Sequence, residues 1–88
     1  MLKVKDGFIL REVSETFIVL AVGERVKEFN GMITLNETGA FLWKILEEGA
    51  EKENLVDALI KEYEIEKELA TKDVDAFINK MKGAGLVE

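Results

Sequence analysis

The hydrophobic rhythm of the chain changes once, near Asn36. Before that point apolar residues come in short runs rich in β-branched and aromatic side chains. Phe8-Ile9-Leu10-Arg11-Glu12-Val13 opens after Asp6-Gly7, and Thr16-Phe17-Ile18-Val19-Leu20-Ala21-Val22 stops at Gly23. Two such runs around the polar break Ser14-Glu15 predict a β-hairpin. The second run is apolar nearly throughout, the pattern of a strand buried on both faces. Glu24 to Phe29 reads as a helical turn or as irregular strand. Asn30-Gly31 is a turn signal, and Met32-Ile33-Thr34-Leu35 predicts a short third strand.

From Asn36 onward the period is helical. Asn36 is a good N-cap, with the Glu37 carboxylate at the positive helix end. Thr34 with Glu37 fits a capping box equally well, so two starts stay open. Ala40, Phe41, Leu42, Trp43, Ile45 and Leu46 cover more than half the circumference, so this helix must be covered on more than one side. Gly49 is its stop. A second helix is predicted from Lys52 to Tyr63, where Leu55, Val56, Leu59, Ile60 and Tyr63 form one stripe. Its N-cap position holds Glu51, a weak cap that costs about 1 kcal/mol, partly offset by its charge. A third helix is predicted from Glu66 to Lys82, with Leu69, Ala70, Val74, Phe77, Ile78 and Met81 as its stripe. Gly83-Ala84-Gly85 ends it, leaving Leu86-Val87 to pack back onto the sheet.

The order is therefore β-β-β-α-α-α within a single domain spanning residues 1–88. Three strands cannot bury a face unaided, so the helices must cover them. The expected class is α+β: a small winged-helix-like domain, a three-stranded antiparallel sheet followed by three helices.

Composition narrows the chemistry. The chain has 88 residues, 48% of them hydrophobic, enough for one modest core. It has no cysteine and no histidine, which removes disulfides, thiolate sites and the commonest general base and metal ligand. No nucleotide-binding glycine loop, nucleophile elbow or zinc spacing is present, so no catalytic residue, cofactor or metal is expected. The net charge of −6 repels phosphate backbones. The longest apolar runs are too short to span a bilayer, and Met1 to Lys5 does not read as a signal peptide. These features favour a cytoplasmic protein.

The run from Phe29 to Trp43, with Leu35-Asn36-Glu37-Thr38-Gly39 and Trp43-x-x-Leu46 at its core, resembles the PqqD family of coenzyme pyrroloquinoline quinone biosynthesis. Leu59-x-x-x-Tyr63, Asp73-Val74 and Lys82-x-x-Gly85-Leu86 extend the resemblance over most of the chain. It implies a non-enzymatic recognition element. Such domains bind the leader of a ribosomally made precursor peptide and present it to a modifying enzyme, often a radical S-adenosylmethionine enzyme. In that family the leader adds as a strand beside the third β-strand and lies against the third helix. The positions so implied are Met32, Ile33, Thr34 and Leu35, together with Asp73, Val74, Phe77 and Lys80.

The residues support that mode separately. Met32 to Leu35 carries no charge and no proline, so it is poorly protected against pairing at an edge. Plainer readings stand beside this one. Alternate residues of the strand fill a core, and Val74, Phe77, Ile78 and Met81 are ordinary core positions. Asp73 and Lys80 flank the stripe as rim contacts or as solvated surface. Trp43 is core, and Asn36 is a cap before it is a ligand. Gly39 spends helix propensity inside the first helix, as if to admit another backbone. The alternative function is a winged-helix nucleic-acid binder. Against it, Lys67, Lys72, Lys80 and Lys82 on the third helix are balanced by Glu66, Glu68, Asp73 and Asp75. A further reading is a homodimer formed through the exposed edge strand.

Overall fold

The computed structural model describes residues 1–27 and 31–87. Its strands are β1 (Phe8–Val13), β2 (Thr16–Ala21) and β3 (Met32–Leu35), and its helices are α1 (Glu37–Leu46), α2 (Lys52–Tyr63) and α3 (Lys67–Gly83). The sheet is antiparallel in the order β1-β2-β3. The α+β class and the order of elements are as the periodicity predicts. Gly23–Lys27 forms a 3₁₀ helix, which resolves the ambiguous stretch as far as Lys27. The Asn30 half of the expected Asn30-Gly31 turn lies outside the described residues.

The β1–β2 hairpin closes through Ser14 and Glu15, both at positive φ (49° and 67°), with Val13 opposite Thr16. That is the two-residue turn whose twist suits paired strands, built here from residues that dislike its backbone. Register then places Leu10 opposite Val19, Val19 opposite Ile33, and Phe17 opposite Leu35. Because side chains alternate, Phe8, Leu10, Phe17, Val19, Ile33 and Leu35 share one face and pack on the core.

The other face corrects an expectation. β2 is not buried on both sides: Ile18 and Leu20 are only half-buried, shielded by cross-strand neighbours such as Ile9 and Met32. Met32 itself is 64% exposed. The helices pack on the face that carries Phe17, Val19 and Leu35.

α1 is the centre of the core. Leu42, Trp43 and Leu46 are fully buried, meeting Leu55 and Leu59 of α2 and Val74 and Met81 of α3. The Trp43 indole N–H reaches Glu47 Oε2 at 3.3 Å, so the ring is buried while its polar edge points to the helix surface. Phe41 meets Tyr63 edge-on, with centroids 5.7 Å apart. Burial, reinforced by the Glu37 and Glu62 carboxylates, holds the Tyr63 hydroxyl above its ordinary pKa. α2 is better capped than its Glu51 suggests, because the Glu51 N–H donates to Asn54 Oδ1 at 3.0 Å. A Lys52–Asp75 ion pair ties α2 to α3.

Two further expectations are revised. Leu69, assigned to the α3 stripe, is 48% exposed, and Ala70 takes the core position beside it. Leu86 and Val87 do not return to the three-stranded sheet. α3 ends in a Schellman motif: the Leu86 N–H bonds the Met81 carbonyl, the Gly85 N–H bonds the Lys82 carbonyl, and Gly85 adopts φ 76°. The chain is thereby turned toward the N-terminal segment, where Val87 bridges Val4 and the Lys5 N–H bonds the Leu86 carbonyl. Leu2 bridges Ala50 in the same seam.

The hairpin turn generates a stability prediction. The paired substitutions Ser14→Asn and Glu15→Gly suit a turn with both central residues at positive φ. They should raise unfolding stability by about 1 kcal/mol, read as a higher denaturant midpoint at unchanged slope.

Candidate functional site

β3 is one of the two edge strands of the sheet, and the hydrogen-bond phase shows which of its groups face outward. The Val22 N–H bonds the Gly7 carbonyl, so even-numbered residues of β2 point their backbone groups toward β1. Antiparallel ladders alternate, so Phe17 and Val19 point toward β3 and pair with Leu35 and Ile33. Met32 and Thr34 therefore direct their N–H and C=O groups away from the sheet. No strand pairs with that side among the described residues.

The edge adjoins a groove of about 230 Å³ lined by Leu35, Asn36, Thr38, Gly39, Leu42, Asp73, Ala76, Phe77 and Lys80. Leu35, Leu42 and Phe77 give it an apolar floor. α3 supplies one wall through residues 73, 76, 77 and 80, which share one side of a helix at i, i+3, i+4 and i+7. The start of α1 supplies the opposite end. There Asn36 is the N-cap, its Oδ1 accepting from the Gly39 N–H at 2.7 Å, which decides between the two starts left open. Gly39 has its close approach explained as well. A Cβ there would stand 3.2 Å from Asn36 Oδ1 and 3.3 Å from Leu35 Cβ, so the neighbours are side chains and not another backbone.

The sequence-predicted residues divide into three groups. Leu35, Asp73, Phe77 and Lys80 line the groove together. Met32 and Thr34 carry the outward backbone, with exposed side chains, while Ile33 is half-buried and faces the helices. Val74 is fully buried, behind the groove wall and in the core. Ala76 takes its place at the surface; its spacing from Asp73 and Lys80 carried that signal, but its small size drew no notice. Thr38 and Leu42 also line the groove; from sequence Leu42 reads as one of the core positions of α1.

Lys80 does more than flank the groove. Its Nζ donates to the Thr34 carbonyl at 2.9 Å, joining α3 to the outward side of β3. A second hollow, lined by Lys52, Glu53, Val56, Asp57, Lys67 and Thr71, belongs to α2 and α3 alone and has no strand edge. Among the described residues no group of acidic side chains is arranged to hold a metal ion, and none of the helices is long and apolar enough to cross a membrane.

A helix-backed sheet with an open outer strand beside a partly apolar groove defines a small α+β domain equipped to accept an extended chain. Comparison with known proteins agrees with that fold. The sequence profile described as coenzyme PQQ synthesis protein D (PqqD) matches residues 10–87, and the chain belongs to the PqqD family. Two solved structures share its fold. One is "TbiB1 in Complex with the TbiA(beta) Leader Peptide", 23% identical, covering 98% of this chain and 94% of that one, with a TM-score of 0.76. The other is "Lasso peptide synthetase B1 complexed with the leader peptide", 21% identical, covering 99% and 96%, with a TM-score of 0.75. A search of curated proteins finds no match.

The cap that shapes the end of the groove is testable. Asn36→Ala removes the acceptor for the Gly39 N–H and should destabilise the protein by about 1 kcal/mol. Equilibrium denaturation should show this loss, and Asn36→Asp should restore most of it.

Proposed function

We propose that this chain is a non-catalytic recognition module for the leader of a ribosomally made precursor peptide. The leader adds as an extra strand beside β3, and the module presents it to a separate modifying enzyme, such as a radical S-adenosylmethionine enzyme. The observation that carries this reading is the pair of outward-facing residues, Met32 and Thr34, set next to the groove of Leu35, Leu42 and Phe77. Membership in the PqqD family supports it, and the two similar structures are of proteins described as bound to leader peptides.

Each part has a physical role. The backbone of Met32 and Thr34 supplies main-chain hydrogen bonds of about 0.5–1.5 kcal/mol each, nearly independent of the guest's sequence. Selectivity comes from alternate guest side chains that point toward α3. Leu35 and Phe77 form an apolar seat, and Asp73 and Lys80 stand at its rim. Ile33 contributes from the core side by fixing the register of β3, and Val74 contributes by holding α3 in place. The module works in the cytoplasm beside the ribosome's product and the enzyme that receives it.

The test uses a synthetic precursor peptide encoded beside this chain, titrated into the labelled protein. Binding at micromolar Kd or tighter, about −8 kcal/mol, with the largest amide shifts in Met32 to Leu35, is the expected result. Saturable binding that leaves those amides unmoved would rule out strand addition.

A further inference from the structure

Lys80 holds an unusual position in an acidic protein. It lies on the exposed side of α3 and has no carboxylate partner among the described residues. Its ammonium rests instead on the Thr34 carbonyl, an acceptor that an added strand requires. This contact covers the Thr34 carbonyl alone in the free protein, a use of lysine common on exposed strands. A guest that pairs with Thr34 supplies an N–H to the same carbonyl. The ammonium then loses part of its coordination at the moment the guest covers it from water.

We infer that Lys80 is a specificity-determining residue that selects a guest strand carrying a carboxylate at one fixed position; this rests on the strand-addition reading above. Register narrows that position to two. Thr34 faces away from the helices, since Ile33 and Leu35 on either side of it pack on the core. The guest residue directly opposite Thr34 shares its face, so the guest's two neighbouring residues point toward α3. Lys80 lines the same groove as Leu35, Leu42 and Phe77, so one of these two neighbours takes an apolar side chain over that seat and the other takes Asp or Glu to meet the ammonium.

The guest motif is therefore an apolar and an acidic residue two positions apart. The net charge of −6 sharpens the choice. A carboxylate elsewhere on the guest meets general repulsion, so only the one placed at Lys80 is favoured. Asp73 lies seven residues earlier on α3, about 10 Å away along the helix axis, and so marks the opposite end of the groove.

The experiment selects phage-displayed random twelve-residue peptides against the full chain and against its K80E variant. Peptides that shift the Met32 to Leu35 amides are retained. Wild-type protein should enrich peptides with an apolar and an acidic residue two positions apart, and K80E should convert the acidic position to Lys or Arg while leaving the apolar position unchanged. For one recovered peptide, K80M should weaken binding about threefold. Removing the peptide's carboxylate should then cost nothing further in K80M, the signature of a direct pair. Circular dichroism confirms that both variants are folded. Edge-binding peptides with no acidic preference, or with the same preference in K80E, overturn the role of Lys80 and leave strand addition standing. Recovery of no edge-binding peptide removes strand addition itself, and the role of Lys80 with it.

Discussion

The whole arrangement depends on the outer edge of β3 and the groove beside it. A three-stranded sheet with its helices on one side buries one face, and neither covering a face nor pairing β1 with β2 closes the outer side of β3. Backbone groups left there must find water, a side chain or another chain. In this protein the Thr34 carbonyl finds the Lys80 ammonium. The remaining groups of Met32 and Thr34 stay available, next to a groove that offers alternate side chains somewhere to go. The rest of the fold keeps that edge rigid. Trp43 and Leu46 pack α1 against α2 and α3, and the Asn36 cap begins α1 directly after the edge strand.

Edge and groove divide the work of recognition between two kinds of chemistry. Main-chain pairing is nearly blind to sequence and provides a fixed register. In the proposed mode, side-chain contacts are then read against that register, and a guest residue's position relative to Thr34 decides whether it meets Phe77, Lys80 or solvent. The core contains no buried polar or charged residue among those described. The outer face of the sheet, with Met32 and Val13 exposed, remains outside this scheme.

Most of the fold was legible in the sequence because its signals are local. Alternation and turn residues marked the hairpin and β3, and helical stripes marked α2 and α3 to within a residue or two. The failures have a common cause in tertiary placement. An apolar run such as Phe17 to Val22 looks doubly buried, yet the sheet has cover on one side only. Leu69 and Ala70 are neighbours on the helix, and packing geometry, not hydrophobicity, sent Ala70 inward. Leu86 and Val87 were expected at the sheet, but the Schellman turn at Gly85 sends them to Val4 and Lys5. For the site, the strand and the rim pair Asp73 and Lys80 could be named from the family resemblance. Val74 could not be told from Ala76 without the structure, since both lie near the same stripe. The bond from Lys80 to Thr34 spans 46 residues, and no local pattern announces it.

Hydrogen exchange on the free protein tests the central claim most directly, without any choice of guest. With β3 open on its outer side, the amides of Met32 and Thr34 exchange at nearly unprotected rates. Those of Ile33 and Leu35, tied to β2, exchange about a hundredfold or more slowly. Equal strong protection at all four positions would mean that the strand is already paired on both sides, and that there is no vacant edge for a leader peptide to fill.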